Sequence, residues 1–246
     1  MTVRAGDTPA WHVAVLIPAR NEEALLPRCL QSVLLSARLL PPGVTTDIIV
    51  AADCCNDATE RIASQLLRGN GIVLPVAAGN VGAARAEAAR AALKRSGVPA
   101  AQCWLANTDA DCEVPETWLL RQLGLAQQGC AAVAGIVDVD CFTEHLAIVE
   151  DRFRSSYLTY EDGTHPHVHG ANLGVRVDVY LQAGGWAALE TAEDHDLWGR
   201  LRAVSPLCLS DTGLQVVTSG RRVGRAPLGF AGALAKHNEA AEEAAA

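Results

Sequence analysis

The chain alternates short apolar runs with helical patterns, and this alternation restricts its fold more than any other feature. Helical patterns occur at residues 23–40, 59–68 and 83–95. The apolar runs between them are short enough for strands buried on both faces, at residues 13–17, 47–51, 72–76 and 102–106. Strands that alternate with helices form a mostly parallel sheet with right-handed crossovers, so we expect an α/β fold.

Three of these predicted strands end in a polar cluster, at residues 18–22, 53–57 and 108–113. Ligands bind at the carboxyl ends of the strands in such sheets, so three clusters on one edge predict a site there. In the third cluster Asp109 and Asp111 are two residues apart, a spacing that points both side chains the same way in an extended segment.

Two carboxylates this close favour a cation between them, and their hard oxygen atoms suit Mg²⁺ or Mn²⁺. A lone Asp-x-Asp is weak evidence, however. The alternative interpretation is a polar turn in which Asp111 caps the helix that Pro115 opens.

The charge balance limits the classes of partner. The chain has 246 residues, 20 of them basic and 28 acidic, for a formal net charge of -8. This argues against nucleic acid or an anionic membrane surface as the main partner. An anionic substrate would have to be held by a metal or by a local group of arginines, because Lys94 and Lys236 are the only lysines.

The cysteine pattern predicts reduced thiols. The eight cysteines include no C-x-x-C pair, and Cys29, Cys103 and Cys130 stand in apolar surroundings. The first residues carry no apolar signal region, and no apolar run approaches the length of a membrane span. We therefore expect a cytoplasmic protein without a transmembrane segment.

The second half of the chain mixes helices and strands. Its sequence predicts helices following Pro115 and from residue 191, a helix at 144–160, and strands at 131–140, within 168–177 and at 214–217. The alanine- and glutamate-rich end, residues 236–246, is predicted to fray. Neither an internal repeat nor a linker is evident, so a single domain over residues 1–246 is expected.

The motifs VLIPARNEE, IIVAADCCNDAT, NVGAARAEAAR, TDAD, HGANLGVR, GGW, AEDHDLW and TSGRRVGR follow one another in this order. Together they resemble the family 2 glycosyltransferases of GT-A fold, especially the stand-alone bacterial type. The resemblance covers nearly the whole chain. It implies a nucleotide-binding, mostly parallel sheet flanked by helices over about residues 10–115, and a smaller acceptor half over about residues 116–235.

The resemblance also implies a nucleotide-diphosphate sugar donor, UDP most naturally, a divalent metal, and inverting transfer to an acceptor hydroxyl. Asp111 would bind the metal, with Asp109 near the metal or the ribose, and Asp53 would accept the N3–H of uracil. The residues implied in donor binding are Pro18, Arg20, Asn21, Glu22, Asp53, Gly82, Arg85, Thr108, Asp109, Arg221 and Arg222. One departure is Ala52-Asp53-Cys54-Cys55, which stands where the family usually has Asp-Asp-Gly-Ser.

Asp194, preceded by Glu193, takes the place of the catalytic base in the resemblance. The alternative is that these acidic residues merely stabilise a helix N-terminus. His169, Gly170 and Trp186 are acceptor-side candidates, although the histidines at 165, 167 and 169 would also fit a polar loop, and a packing tryptophan is equally expected.

Arg221, Arg222 and Arg225 would clamp the diphosphate, or else form a solvated basic surface. The chemical alternatives are a sugar-phosphate nucleotidyltransferase, which wants a glycine-rich basic loop after the first strand, and a catalytically silent nucleotide-sugar-binding module. The sequence leaves the sugar, the acceptor (a small molecule or a lipid-linked one) and the oligomeric state open.

Overall fold

The computed structural model of the protein describes residues 10–224 and 229–245. Its first part alternates strand and helix as predicted. The elements are β1 (His12–Ala19), α1 (Leu26–Arg38), β2 (Thr45–Asp53), α2 (Thr59–Leu67), β3 (Gly71–Val76), α3 (Val81–Arg95) and β4 (Cys103–Asn107). These four strands are parallel and adjacent in the order β3-β2-β1-β4, so their carboxyl ends share one edge.

The second part extends the same sheet to eight strands among the described residues, in the order β3-β2-β1-β4-β7-β6-β8-β5. Strand β7 is antiparallel to both β4 and β6, whereas β6 and β8 are parallel. The elements are β5 (Cys112–Glu113), α4 (Trp118–Gln127), β6 (Ala132–Val139), α5 (Ile148–Ser156), β7 (Leu173–Arg176), α6 (Val177–Gln182), α7 (Glu193–Val204), β8 (Cys208–Thr218) and α8 (Phe230–Ala245).

The sheet is buried on both faces, which explains why its central strands are continuously apolar. In β1, Val13, Val15 and Ile17 pack on one face with helices α1, α2 and α4, while Ala14 and Leu16 pack on the other with α3, α6 and α7. The two apolar layers fix the sheet between helices and leave its carboxyl edge to carry the polar clusters.

The loop after β1 and the loop after β2 are joined by hydrogen bonds. The side-chain oxygen of Asn21 accepts the backbone N–H of Asn56 at 2.9 Å, and the backbone N–H of Glu23 donates to Asp57 at 3.1 Å. Asn21 has a φ of 54° and does not cap α1, which begins at Leu26 and not at residue 23 as predicted. The side chain of Asn21 therefore bonds to the loop after β2 instead of to the start of α1.

The C-terminal end, residues 236–246, was predicted to fray, and helix α8 extends through this region to Ala245. Helix α8 has a packed face that its amino-acid composition does not reveal. Leu234 packs with Val139 and Phe153, and the side chain of Asn238 is fully buried. Helix α6 and strand β5 also escaped prediction, being too short for a clear period. Among the described residues, no helix has the length and apolar content that crossing a bilayer requires.

Candidate functional site

A cleft of about 370 Å³ opens at the carboxyl edge of the sheet. It is walled by the loops after β1, β2, β3, β4 and β8 and by the start of α8. Its lining residues are Pro18, Ala19, Arg20, Glu22, Asp53, Gly79, Asn80, Val81, Ala84, Asp109, Ala110, Asp111, Glu190, Thr218, Ser219, Arg221, Gly224, Gly229, Phe230 and Ala231. The polar clusters predicted from the sequence therefore converge on one opening.

The cleft is acidic. Its lining holds the carboxylates of Glu22, Asp53, Asp109, Asp111 and Glu190, against the guanidinium groups of Arg20 and Arg221. An anionic ligand would be repelled by this balance unless a cation came with it.

Asp109 and Asp111 form a candidate metal site, which is called the metal site below. One carboxylate oxygen of each, with the Sγ of Cys112, lies within 4.8 Å of the others. Burial raises the pKa of Asp109, and the negative charge of Asp111 raises it further, while Arg85 lowers it. Two hard oxygen donors on a shared cleft fit a small divalent cation such as Mg²⁺ or Mn²⁺. The carboxylate of Asp111 bonds to Arg221 and Ser219, so the capping alternative is not what the structure has.

Arg221 bridges the metal site and the first loop. Its Nη1 lies 2.8 and 2.9 Å from the two carboxylate oxygens of Glu22, and its Nη2 lies 2.8 Å from Oδ2 of Asp111. The hydroxyl of Ser219 donates to the same Asp111 oxygen at 3.1 Å. Glu22 is buried, so its carboxylate holds a cationic side chain at the mouth of the metal site.

Arg85 lies beneath the cleft floor with only 1% of its surface exposed. Its Nη2 contacts Oδ1 of Asp109 at 2.5 Å, its Nε lies 3.6 Å from Glu193, and its guanidinium sits 5.2 Å from the ring centroid of Trp186. Arg85 therefore joins the Asp-x-Asp loop to the start of α7. It does this from behind the residues that line the cleft, and Arg85, which was expected to border the nucleotide, is not itself among them.

Glu193 and Asp194 are the first two residues of α7, and the N-cap residue before them, Ala192, has a left-handed backbone. Burial raises the pKa of Glu193. Asp194 is partly exposed, and its Oδ2 accepts the backbone N–H of Gly170 at 2.8 Å. A Cβ at residue 170 would stand 2.7 Å from Nη2 of Arg85. Because Gly170 has no Cβ, the loop whose backbone donates to Asp194 can lie directly against Arg85.

Asp53 lies at the opposite end of the cleft. Its Oδ1 accepts backbone N–H groups from Ala78 and Gly79 at 2.8 and 2.9 Å. These bonds hold the loop after β3 against the end of β2. The second carboxylate oxygen has no hydrogen bond within residues 10–224 and 229–245, and it is the acceptor that this end of the cleft offers to a ligand.

Five expected donor-binding residues do not line the cleft: Asn21, Gly82, Arg85, Thr108 and Arg222. Gly82 donates its backbone N–H to the carbonyl of Leu189 at 3.3 Å, and a Cβ there would stand 2.1 Å from the carbonyl oxygen of Ala187. Gly82 thus lets the loop before α7 lie on α3. The side chain of Thr108 is fully buried, Arg222 is exposed, and Arg225 lies outside the described residues.

Among the acceptor-side candidates, Trp186 follows the packing alternative. The residue is 5% exposed, and its ring packs in the core against Arg85. The hydroxyl of Tyr157 is hydrogen-bonded to Nε2 of His169 at 2.9 Å and accepts the backbone N–H of Val137. Burial lowers the pKa of His169 to about 4 and raises the pKa of Tyr157 to about 12.

Sequence reasoning missed several lining residues. Asn80 caps α3, since its side chain accepts the backbone N–H of Ala83 at 2.8 Å. An asparagine directly before a helical pattern is a typical N-cap, so the sequence could have predicted this role. Ser219 stood within a quoted motif. Glu190 and Phe230 carried no signal, because their place in the cleft depends on how the loop before α7 and helix α8 fold back.

Comparison with known proteins gives a family and a fold. The model of glycosyl transferase family 2 matches residues 14–182. No curated protein sequence matches the chain. The solved structures that resemble it include TarS of S. aureus, at TM-score 0.61 and 14% identity, with 84% of this chain and 36% of TarS covered.

Residues 1–349 of TarS in complex with UDP-GlcNAc give TM-score 0.61 and 14% identity, covering 87% of this chain and 60% of that one. The mannosyltransferase PcManGT of Pyrobaculum calidifontis, in complex with GDP-Man and Mn²⁺, gives 0.62 and 16%, covering 88% and 59%. The chain thus spans between 36% and 60% of the length of these proteins. The likenesses confirm the expected GT-A fold.

Proposed function

Because the chain belongs to glycosyl transferase family 2, we propose that it moves a sugar from a nucleotide-diphosphate sugar to an acceptor hydroxyl group, with inversion. One observation carries the proposal: Asp109 of the carboxylate pair and Glu193 at the start of α7 both contact a single buried guanidinium, that of Arg85. A metal-binding end and a proton-accepting end are thereby held in one frame, as group transfer requires.

The nucleotide end is formed by Pro18, Arg20 and Asp53. The carboxylate oxygen of Asp53 that is not bonded to the loop after β3 would accept the N3–H of uracil, and UDP is the nucleotide we propose. The relatives of known structure bind UDP-GlcNAc or GDP-Man, so both uracil and guanine donors belong in the test. Guanine offers N–H donors to a carboxylate as well.

Asp111, with Asp109 beside it, would hold Mn²⁺ or Mg²⁺ at the diphosphate. The bound ion would neutralise the charge that grows on the leaving diphosphate. Arg221 lies beside this position and would donate to the same phosphate oxygens. The acidic cleft supports the proposal, because a diphosphate without its cation would face an excess of carboxylates.

Asp194 is proposed as the general base, with Glu193 beside it fixed on Arg85. Partial exposure leaves Asp194 accessible to an acceptor, and the backbone N–H of Gly170 orients its carboxylate. It would take the proton of the attacking hydroxyl on the side of the sugar opposite the diphosphate, and that direction of attack inverts the anomeric centre. General-base assistance of this kind contributes on the order of 10²–10⁴-fold in rate.

The acceptor is either a small molecule or a lipid-linked one.

All eight cysteines are free, which supports the cytoplasmic location that we propose.

Titrating UDP and GDP into the protein with and without Mn²⁺ tests the donor site. Metal-dependent binding of one nucleotide is the expected result, and a screen of UDP-, GDP- and dTDP-sugars should then give release of that nucleotide. The anomeric configuration of the product, read by NMR, tests inversion. Metal-dependent binding with no release from any sugar would instead indicate a silent binding module.

A further inference from the structure

We propose that His145 and Asn238 are positioning residues that hold Arg221 in the donor cleft. This inference rests on the proposed function, since it gives Arg221 its diphosphate-binding place. His145 precedes α5 and Asn238 lies in α8, so the two residues tie the C-terminal helix to the metal site.

Asn238 has a fixed orientation in the core. Its side-chain oxygen accepts the backbone N–H of Leu146 at 3.0 Å, and its Nδ2 donates to the carbonyl of Leu234 at 3.2 Å and to Nδ1 of His145 at 2.7 Å. The side chain is fully buried. The backbone N–H of Leu146 can only donate, and the backbone carbonyl of Leu234 can only accept. The side-chain amide of Asn238 therefore has only one orientation that satisfies both bonds.

This direction determines the tautomer of His145. Its Nδ1 accepts from Asn238, so its Nε2 carries the proton and donates to the carbonyl oxygen of Gly220 at 2.8 Å. A chain of directed hydrogen bonds therefore runs from α8 to the residue immediately before Arg221.

Gly220 is held on its other side as well. Its backbone N–H donates to Asp140 at 2.8 Å, and a Cβ would stand 1.7 Å from the carbonyl oxygen of Cys141. Two residues later, the backbone N–H of Arg222 donates to the carboxylate of Glu144 at 2.9 Å. The backbone on both sides of Arg221 is thus anchored to residues 140–145, and its side chain projects to Glu22 and Asp111.

This anchoring has a functional consequence that packing alone would not have. A long arginine side chain loses conformational freedom when it binds a phosphate, and a fixed backbone reduces that cost. Removing the His145 bond should weaken donor binding about tenfold, the size of one net hydrogen bond, and leave the chemical step nearly unchanged.

The test compares His145→Ala with His145→Gln, because glutamine keeps an N–H donor on a side chain of similar reach. His145→Ala should raise the donor KM, and the Kd of UDP with Mn²⁺, about tenfold with kcat within about a factor of two. His145→Gln should recover most of the loss.

The same change in an Arg221→Ala background isolates the mechanism. If His145 acts through Arg221, the double variant should bind no more weakly than Arg221→Ala alone. Additive losses, or a change confined to kcat, would overturn the proposal.

A second readout does not depend on nucleotide binding. Trypsin cleaves after an arginine only when the arginine side chain can enter the specificity pocket of trypsin. Cleavage after Arg221 in the full chain therefore reports that the side chain of Arg221 has been released. We expect His145→Ala and Asn238→Ala to speed this cleavage about tenfold, and His145→Gln to stay near the wild type.

Mass spectrometry separates cleavage after Arg221 from cleavage elsewhere, and cleavage at other arginines serves as the internal control for general unfolding. An unchanged rate after Arg221 in His145→Ala, a variant at a partly exposed residue, would overturn the proposal. A wild-type protein that binds no nucleotide would refute the proposed function, while the cleavage rates would still decide whether His145 holds Arg221.

Discussion

Asp109 and Glu193 both lie against one buried guanidinium group, that of Arg85. Nη2 of Arg85 contacts Asp109 at 2.5 Å and its Nε faces Glu193 at 3.6 Å, although the two acidic residues are far apart in the chain. Two nitrogens of this guanidinium, Nε and Nη1, have no hydrogen-bond acceptor among the described residues. Arg85 therefore depends on the charge of its carboxylate neighbours.

This dependence predicts that the two aspartates of the metal site respond differently to substitution. Asp109→Asn removes one of the two charges that compensate buried Arg85, so it should lower the unfolding free energy by about 1–3 kcal/mol and abolish metal binding. Asp111→Asn should abolish metal-dependent nucleotide binding with a much smaller loss of stability. Urea unfolding and Mn²⁺ titration measure both effects. Equal stabilities for the two variants would contradict the buried charge pair.

Arg221→Ala should move metal binding and nucleotide binding in opposite directions. Without the guanidinium beside Asp111, Mn²⁺ alone should bind more tightly, because a competing positive charge is gone. The nucleotide should bind roughly 10-fold more weakly, since a charge-assisted hydrogen bond to phosphate is lost.

Calorimetric titration of Mn²⁺, and then of UDP at saturating Mn²⁺, measures both constants. Arg61→Ala, on the exposed face of α2, is the matched control and should change neither. If both constants weaken in Arg221→Ala, the side chain contributes to metal binding instead of competing with it.

Asp194→Asn should lower kcat by on the order of 10²–10⁴-fold while the Kd of the nucleotide stays within about twofold. The amide oxygen of asparagine can still accept the N–H of Gly170, so the fold should be retained. Asp196→Asn, two residues along α7 and paired with Arg200, is the control. A variant of Asp194 that keeps most of its turnover would remove this residue from the role of base.

Gly82→Ala should disturb catalysis through the loop before α7. The new Cβ would stand 2.1 Å from the carbonyl oxygen of Ala187, so the loop that leads to Glu193 must move. We expect a kcat loss of about tenfold or more, because small displacements of catalytic groups are costly. Gly124→Ala in α4 meets no atom within 4 Å and should be neutral or stabilise by up to about 1 kcal/mol. Similar activities in the two variants would contradict the tight contact.

Acid should destabilise the fold partly through His169. Its folded pKa is about 4, below the ordinary 6.5, because burial disfavours the charged ring. The unfolded chain therefore takes up the proton first, and the stability that the neutral ring contributes is complete above about pH 6.5. It declines as the pH falls and is lost below about pH 4.

The resulting loss is on the order of 3 kcal/mol. His169→Gln, whose amide oxygen can accept from Tyr157, should lose correspondingly less stability over this range in urea unfolding at a series of pH values. Parallel curves for the two proteins would show that His169 does not titrate as its burial requires.

Much of the site was predictable because it lies where local pattern and topology agree. The apolar runs before Pro18, Asp53 and Asp109 identify parallel strands, and parallel strands bring their carboxyl ends together. The family motifs add the identity of these residues. The motifs did not indicate how deeply a side chain is buried. Gly82 and Arg85 were expected to border the nucleotide, and neither of them lines the cleft.

The remaining errors concern contacts between distant segments. The backbone of residues 219–222 is fixed by residues 140–145, and the chain after Gly229 returns to the cleft as α8. An alanine-rich helix with one buried asparagine gives no periodic apolar signal strong enough to announce such packing. Trp186 was ambiguous for a similar reason, because its partner Arg85 lies about a hundred residues earlier.

Helix α8 places Phe230 and Ala231 in the wall of the donor cleft. With the proposed function, a protein shortened before Phe230 would therefore admit solvent to the activated sugar. Water would then compete with the acceptor for the anomeric carbon, and the enzyme would waste its donor by hydrolysis instead of merely losing stability.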